Sequence, residues 1–196
     1  MGDFNIEEIN DQQIRNLHQI TFGGEIVVVT NEADEQEAIE HFSDCQVIGF
    51  DTETKPSFKK GKSNQNNVAL LQLASETKAF LFRMNMRSLP EGIVNILASE
   101  LPVKAGVAIH DDIKALQQMY QFEAAGFADV QDMAEEAGLK VKSLRKLTAM
   151  LFHMRLSKSQ RLTNWEAKSL SEPQIIYAAT DAWISLKVYY ALKSVV

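Results

Sequence analysis

Residues 46–53 read QVIGFDTE, an apolar run that ends in two carboxylates. Residues 47–50 carry no polar side chain, a pattern typical of a β-strand that is buried on both faces and therefore central in its sheet. Asp51 and Glu53 are two residues apart, so on an extended strand their side chains point to the same face. The stretch predicts a central strand that presents a pair of carboxylates at one end.

The flanking segments predict the rest of an α/β fold. β-branched residues at 25–30 indicate a strand, and the apolar segments 67–74 and 78–83 are separated by only three residues, as in an antiparallel hairpin. A fifth strand is expected at 103–109. Helical patterns cover residues 32–41, 88–99, 112–121, 129–137, 143–151 and 172–192. This order predicts a mixed five-stranded sheet flanked by helices.

The chain of 196 residues is long enough for one domain with a substantial core. Residues 1–24 have isoleucine and leucine at roughly helical spacing and are predicted to form an N-terminal helical arm, with the main domain at 25–196. Residues 55–67 contain four lysines and a glycine. We expect this segment to be a mobile loop that covers the substrate.

Several classes of protein are disfavoured by composition. The single cysteine, Cys45, excludes an internal disulfide and a cysteine-rich zinc site, and its apolar neighbours favour a small buried residue over a nucleophile. No run of eighteen apolar residues predicts a membrane span, and the polar first twenty residues do not resemble a signal peptide. An intracellular, cytoplasmic location is expected.

Charge is distributed unevenly along the chain. The net charge is -6, but residues 1–54 hold thirteen acids and one base, whereas residues 55–196 hold thirteen acids and nineteen bases. Residues 140–168 contain eight basic residues and one acid. Such segregation suits a polyanion bound to one face. A solvated surface remains the alternative for a basic run taken alone.

A third carboxylate is expected from residues 106–116, GVAIHDDIKAL, where two aspartates are adjacent. Asp112 lies three residues after Ile109 and four before Leu116, which places it on the apolar, inward face of a helix. Asp111 lies on the other side and can cap the helix. The helical phase therefore selects Asp112 as the site residue.

A fourth carboxylate shares a helix face with a phenol, because Tyr177 and Asp181 are four residues apart. Carboxylates at the ends of apolar elements are costly unless they are paired or bind metal, and hard divalent cations prefer oxygen ligands. Taken alone, the Asp-x-Glu motif favours an ordinary solvent-facing acid pair, and the Tyr-x-x-x-Asp motif is weak evidence beside an interfacial packing tyrosine. Together they predict a shared divalent-cation site and phosphodiester chemistry.

The complete set, Asp-x-Glu after an apolar strand, Asp after GVAI, and Tyr-x-x-x-Asp in a late helix, resembles the DEDD superfamily of 3′–5′ exonucleases, and the tyrosine indicates the DEDDy subgroup. The segments VALLQL at 68–73, QRLTNW at 160–165 and SEPQIIYAATDAW at 171–183 are also similar to the ribonuclease D and Werner syndrome exonuclease-like branch of the DnaQ-like superfamily. The similarity extends over residues 25–192.

The resemblance implies a ribonuclease H-like fold and hydrolysis by two ions of Mg²⁺ or Mn²⁺. It implies that Asp51 bridges both ions, that Glu53 and Asp181 complete the site of the ion that activates water, and that Asp112 supports the second ion. Tyr177 would orient the attacking water. The expected activity is a 3′–5′ exonuclease that releases nucleoside 5′-monophosphates from DNA or RNA.

Three further residues are predicted to contact nucleic acid. Lys158 and Arg161 are candidates for phosphate contacts. Trp165 is a candidate for base stacking, with burial in the core as the favoured role for this residue. Asp111 adds a negative charge where many relatives have a small residue. Targeting is expected to come from a partner such as a helicase. The rival hypothesis is a non-catalytic nucleic-acid-binding module, which the presence of all four acids disfavours.

Overall fold

A computed structural model of the chain describes residues 9–54, 68–141 and 143–194. The predicted loop at 55–67 lies outside the described residues. The strands are β1 Glu25–Val29, β2 Val47–Thr54, β3 Val68–Ala74, β4 Lys78–Arg83, β5 Val103–Gly106 and β6 Phe127–Asp129. The helices are α1 Asp11–Asn16, α2 Glu32–Ser43, α3 Glu91–Leu97, α4 His110–Met119, α5 Val130–Glu136, α6 Leu144–Phe152 and α7 Glu172–Lys193.

The strands form one mixed sheet in the order β1-β4-β3-β2-β5-β6. The β3–β4 hairpin is antiparallel, as predicted, and β3 is also antiparallel to β2, whereas the remaining pairs are parallel. The described sheet has six strands, so the prediction of five was wrong. The additional strand, β6, has only three residues and joins directly to α5, which makes it too short to show an alternating pattern.

One predicted boundary moved for a clear physical reason. The fifth strand was expected to extend to Ile109, but β5 ends at Gly106 because Ala108 adopts a left-handed conformation with φ of 53°. The side chain of Asp129 accepts hydrogen bonds from the backbone N–H groups of Ala108 and Ile109, each at 3.1 Å. This turn starts α4 at His110, two residues earlier than the sequence predicts.

The two faces of the sheet bury different layers of helices. On one face, Phe42 of α2 and Ile93 of α3 pack with alternate residues of the central strands, such as Leu71 and Leu73. On the other face, α7 covers the sheet and contacts strands β1 to β5. Residues that are adjacent on β3 therefore face different layers, which is the period-two pattern of a strand buried on both sides.

The N-terminal segment is less helical than predicted, since α1 covers only residues 11–16 among those described. Beyond it, the chain runs beside the segment that connects α6 to α7. Ile20 N–H donates to the carbonyl of Arg155 at 3.0 Å, and Phe22 N–H donates to Thr180 Oγ1 at 3.0 Å. The arm thus contacts α7, while the division into an arm at 1–24 and a domain at 25–196 stays a prediction. No helix among the described residues is both long and apolar enough to cross a membrane.

Helix α7 approaches β2 more closely than any side chain allows. A Cβ atom placed on Gly49 would collide with the backbone carbonyl of Ala182. Gly49 lies two residues before Asp51 on the same face of β2, and Ala182 follows Asp181. The glycine therefore permits the helix–strand contact that brings the two carboxylates towards each other.

We expect Gly49→Ala to destabilise the protein by about 1–3 kcal/mol, the usual range for overpacking a core, because α7 must move away from β2. Urea unfolding measures the change. Gly23→Ala is the matched control: a Cβ at Gly23 meets nothing within 4 Å, so its effect should stay within about 0.5 kcal/mol. Equal stability of the two variants would contradict the proposed role of the Gly49 contact.

Candidate active site

Three carboxylates that are distant in sequence meet at the end of β2. One oxygen each from Asp51, Glu53 and Asp181 lies within 4.8 Å of the others. The first two come from alternate positions of β2 and the third from α7, so the site depends on how the helix packs on the sheet. All three side chains are half-buried. The structure brings together three of the four acids that the sequence predicts.

The fourth predicted acid, Asp112, lies in the first turn of α4 and contacts β2 through the side chain of Thr52. Its Oδ1 accepts a hydrogen bond from the hydroxyl of Thr52, the residue between Asp51 and Glu53. The negative charge of Asp112 raises the pKa of both neighbouring acids of β2. Asp111 is exposed. The structure therefore places Asp112, and not Asp111, against the carboxylate cluster, as helical phase predicts.

Burial and mutual repulsion raise the pKa values of these acids. Burial raises the pKa of Asp51 well above its usual value, and the charges of Asp181, Glu53 and Asp112 raise it further. Burial and the charges of Asp181 and Asp112 raise the pKa of Glu53 to about 8. Burial raises the pKa of Asp181 to about 7. The three clustered acids, with the charge of Asp112 nearby, therefore form a strong site for positive charge.

Tyr177 contacts this cluster through Asp181. Its hydroxyl donates a hydrogen bond to the Asp181 carboxylate, which lowers the pKa of that acid and partly offsets its burial. Burial and the nearby carboxylates raise the pKa of Tyr177. The phenol is therefore a neutral donor at physiological pH, and it can offer a hydrogen bond to an oxygen atom beside the acids.

Trp165 does not face solvent, so the prediction that it stacks on a nucleobase was wrong. Its side chain has 0 % exposure and packs with Leu70 and Ala178 between the sheet and α7. Its ring centroid is 6.1 Å from that of Tyr177. The burial that the sequence favours for Trp165 is confirmed. The basic residues that precede Trp165 indicate an exposed segment, and this pattern does not show that the Trp165 side chain points into the core.

The two predicted phosphate contacts differ in their distance from the acids. Arg161 is exposed and lies near enough to Glu53 to lower the pKa of that acid. Lys158 is also exposed, and its positive charge lowers the pKa of Asp11 in the N-terminal arm. Of the two, Arg161 is therefore the residue that the structure brings to the edge of the carboxylate cluster.

Other members of the basic segment have a structural role. Arg145 forms an ion pair with Asp11 at 2.6 Å, and Arg155 Nε donates to the carbonyl of Leu17 at 2.9 Å. The first contact attaches the arm to α6, and the second attaches it to the α6–α7 connection. The segment at 140–168 is thus divided between residues that hold the arm and residues that face solvent.

The arm also contributes to a cavity beside the site, which the sequence did not predict. The cavity has a volume of about 250 Å³ and is lined by Tyr177 and Asp181 on one side. Ile20 of the arm and Ser157 of the α6–α7 connection line the other side. No spacing in the sequence connects these segments, because their contact depends on backbone hydrogen bonds between distant parts of the chain.

The family model for 3′–5′ exonucleases matches residues 26–196. The chain belongs to the 3′–5′ exonuclease family. It is 34% identical over 188 residues to the mouse bifunctional 3′–5′ exonuclease/ATP-dependent helicase WRN, a match that covers 90% of this chain and 13% of the mouse protein. It is 29% identical over 194 residues to a 3′–5′ exonuclease of Arabidopsis thaliana, covering 91% of this chain and 67% of the plant protein.

Solved structures support the fold of this exonuclease-family chain. The EXO domain of Aedes aegypti Nibbler superposes with a TM-score of 0.78 at 19% identity, covering 89% of this chain and 91% of that domain. Escherichia coli RNase D superposes with a TM-score of 0.73 at 20% identity, covering 88% and 46% of the two chains. The predicted ribonuclease H-like fold is confirmed.

The acids of this exonuclease-family chain fit a divalent cation. Dependence on a divalent metal is typical of the family, and Asp51, Glu53 and Asp181 offer only oxygen ligands, which Mg²⁺ and Mn²⁺ prefer. A bound cation would also offset the repulsion that raises their pKa values.

The raised pKa values predict that acid repulsion weakens the metal-free protein as the pH rises. Each group keeps its proton to a higher pH when folded than when unfolded, where carboxyl groups titrate near about 4. Folding is therefore progressively disfavoured as the pH rises from about 4 towards about 8. Asp51→Asn removes one charge from the cluster, so we expect the variant to be more stable than wild type at about pH 8.5, and to lose most of that advantage at about pH 5.

Urea unfolding in the presence of a chelator measures this difference. The control is Asp111→Asn, which removes the same charge from an exposed neighbour and should change stability little. An equal gain in the control would show that net charge, and not the cluster, produces the effect.

Proposed function

We propose that the protein is a 3′–5′ exonuclease of the DEDDy subgroup. It hydrolyses the last phosphodiester bond at the 3′ end of a nucleic acid and releases a nucleoside 5′-monophosphate. The observation that carries the proposal is the meeting of Asp51, Glu53 and Asp181 within 4.8 Å, in a chain of the 3′–5′ exonuclease family. Asp112 and Tyr177 beside this cluster supply the remaining members of the DEDDy set.

The four acids would hold a pair of Mg²⁺ or Mn²⁺ ions, which stabilise charge on the scissile phosphate and lower the pKa of an attacking water. The charges of Asp181 and Asp112 both raise the pKa of Asp51. We therefore assign Asp51 as the acid that would serve both ions. The Tyr177 hydroxyl donates a hydrogen bond to the Asp181 carboxylate. When substrate is bound, the same phenol can orient the water for in-line attack on phosphorus.

Arg161 and Lys158 are proposed to bind the phosphates of the substrate strand. Both side chains are exposed, and Arg161 is close to Glu53 at the edge of the site. Contacts with phosphate position a strand without reading its sequence, so they suit an enzyme that removes every nucleotide in turn. We propose that a helicase or another partner directs the domain to its substrate.

The central test compares DNA and RNA oligonucleotides labelled at either end, with Mg²⁺, Mn²⁺ or a chelator. A 5′-labelled strand should shorten one nucleotide at a time, and a 3′-labelled strand should release labelled mononucleotide at once. Asp51→Asn should reduce cleavage to the level seen with the chelator, because its amide supplies no charge to the cations. Wild-type protein that binds these strands without cutting them would instead indicate a non-catalytic binding module.

Tyr177→Phe should slow single-turnover cleavage by about 10- to 100-fold, the range expected for losing one hydrogen bond to a charged group. Metal affinity, measured by calorimetry, should change little, because no ligand is removed. Tyr190→Phe is the control, since Tyr190 is an exposed tyrosine at the far end of α7. Undiminished cleavage by Tyr177→Phe would assign this tyrosine to packing.

A further inference from the structure

Gln72, in the middle of β3, is a buried amide without an evident partner. Its side chain has 0 % exposure, and neither Nε2 nor Oε1 has a hydrogen-bond partner among the residues that the structure describes. Burying an unpaired amide disfavours folding, and such groups are rare in native proteins. A leucine or methionine would fill this position at a lower cost in folding free energy. The presence of the amide therefore indicates a role other than packing.

The strand register places Gln72 directly beside the carboxylate cluster. Gln72 pairs with Asp51 on the antiparallel strand β2, and on its other side with Leu81 of β4. Residues that are paired across antiparallel strands point to the same face, with Cβ atoms about 4.5–5.5 Å apart. The amide and the Asp51 carboxylate are therefore neighbours beneath α7.

The cover above Gln72 leaves the amide little else to bind. On the same face of β3, Ala74 packs with Ala182 of α7, and Leu70 packs with Ala178. Gln72 lies between these two apolar contacts. Alanine side chains leave room for a longer neighbour, but they supply no donor or acceptor.

Asp51, in turn, needs donors. It is half-buried, and it accepts a hydrogen bond from the backbone N–H of Thr52. The surrounding acids Glu53, Asp112 and Asp181 add only negative charge. A neutral amide N–H can stabilise the Asp51 carboxylate without adding a positive charge that would compete with a cation.

We infer that Gln72 is a positioning residue: its side-chain N–H, which has no partner among the described residues, would donate a hydrogen bond to the Asp51 carboxylate when a divalent cation binds, and would hold that carboxylate in the orientation that binds the cation. This inference rests on the proposed metal-dependent function. Partners that orient metal ligands are typically worth about 10- to 100-fold in metal affinity or activity. Gln72 would thus contribute to the site while it lowers the stability of the empty protein.

Gln72→Met tests the inference, because methionine keeps the length of the side chain and removes both polar atoms. Without metal, we expect the melting temperature to be unchanged or higher. Calorimetry should show Mn²⁺ affinity reduced by about 10- to 100-fold, and the Mn²⁺ concentration that gives half-maximal cleavage should rise to match. The KM for the oligonucleotide, measured at saturating Mn²⁺, should stay close to the wild-type value.

Leu81→Met is the matched control, since Leu81 is the next buried residue in the same cross-strand row. It tests repacking of the row without loss of an amide and should leave Mn²⁺ affinity unchanged. The inference is overturned if Gln72→Met binds Mn²⁺ as tightly as this control. It is also overturned if Gln72→Met is less stable than wild type, or unfolded, without metal, since the amide would then support the fold itself.

The two proposals fail in different ways. A wild-type protein that binds Mn²⁺ but cleaves no oligonucleotide would overturn the proposed exonuclease activity, and calorimetry on Gln72→Met would still decide the role of the amide. An active wild type whose Mn²⁺ affinity is matched by Gln72→Met would overturn the inference alone.

Discussion

The contact between α7 and β2 determines the geometry of the site. The helix lies so close to the strand that Gly49 cannot carry a side chain beneath Ala182. Farther along α7, Val188 and Leu192 are buried with α5 and α6, so the helix cannot slide away without breaking a large apolar contact. Because Asp181 precedes Ala182, packing of the helix also fixes Asp181 beside the acids of β2.

Apolar packing therefore opposes electrostatic repulsion within the site. Burial of α7 stabilises the fold, while burial of the acids raises the pKa values of Asp51, Glu53 and Asp181. The fold tolerates this local cost because the hydrophobic layers on both faces of the sheet are extensive. Sites where stability is given up for binding in this way are expected at functional centres.

Local patterns predicted the elements that carry the acids, because those patterns arise from local physics. A continuous apolar run identified β2, and helical phase distinguished Asp112 from Asp111. The errors came from contacts between distant segments. The turn that Asp129 stabilises ended β5 early, and the burial of Trp165 depends on partners from β3 and α7.

The pairing of Gln72 with Asp51 is another feature of the site that sequence patterns did not predict. Each residue can be assigned to a strand from the sequence. Their pairing depends on register, which the apolar pattern alone leaves open, because a shift by two residues keeps the same faces buried. Roles that depend on register or on helix–sheet distance therefore emerged only from the structure.

The layer arrangement also explains how a chain with a net charge of -6 can suit a polyanion. Helix α2 carries five acids and packs on the face of the sheet opposite to α7. Two of its acids, Glu35 and Glu37, form ion pairs with Arg87 and Lys78. The five acids of α2 thus lie on the face of the sheet away from α7, while exposed Arg161 lies near Glu53. In the proposed function, a nucleic acid that approaches the site from the side of α7 would avoid the acids of α2.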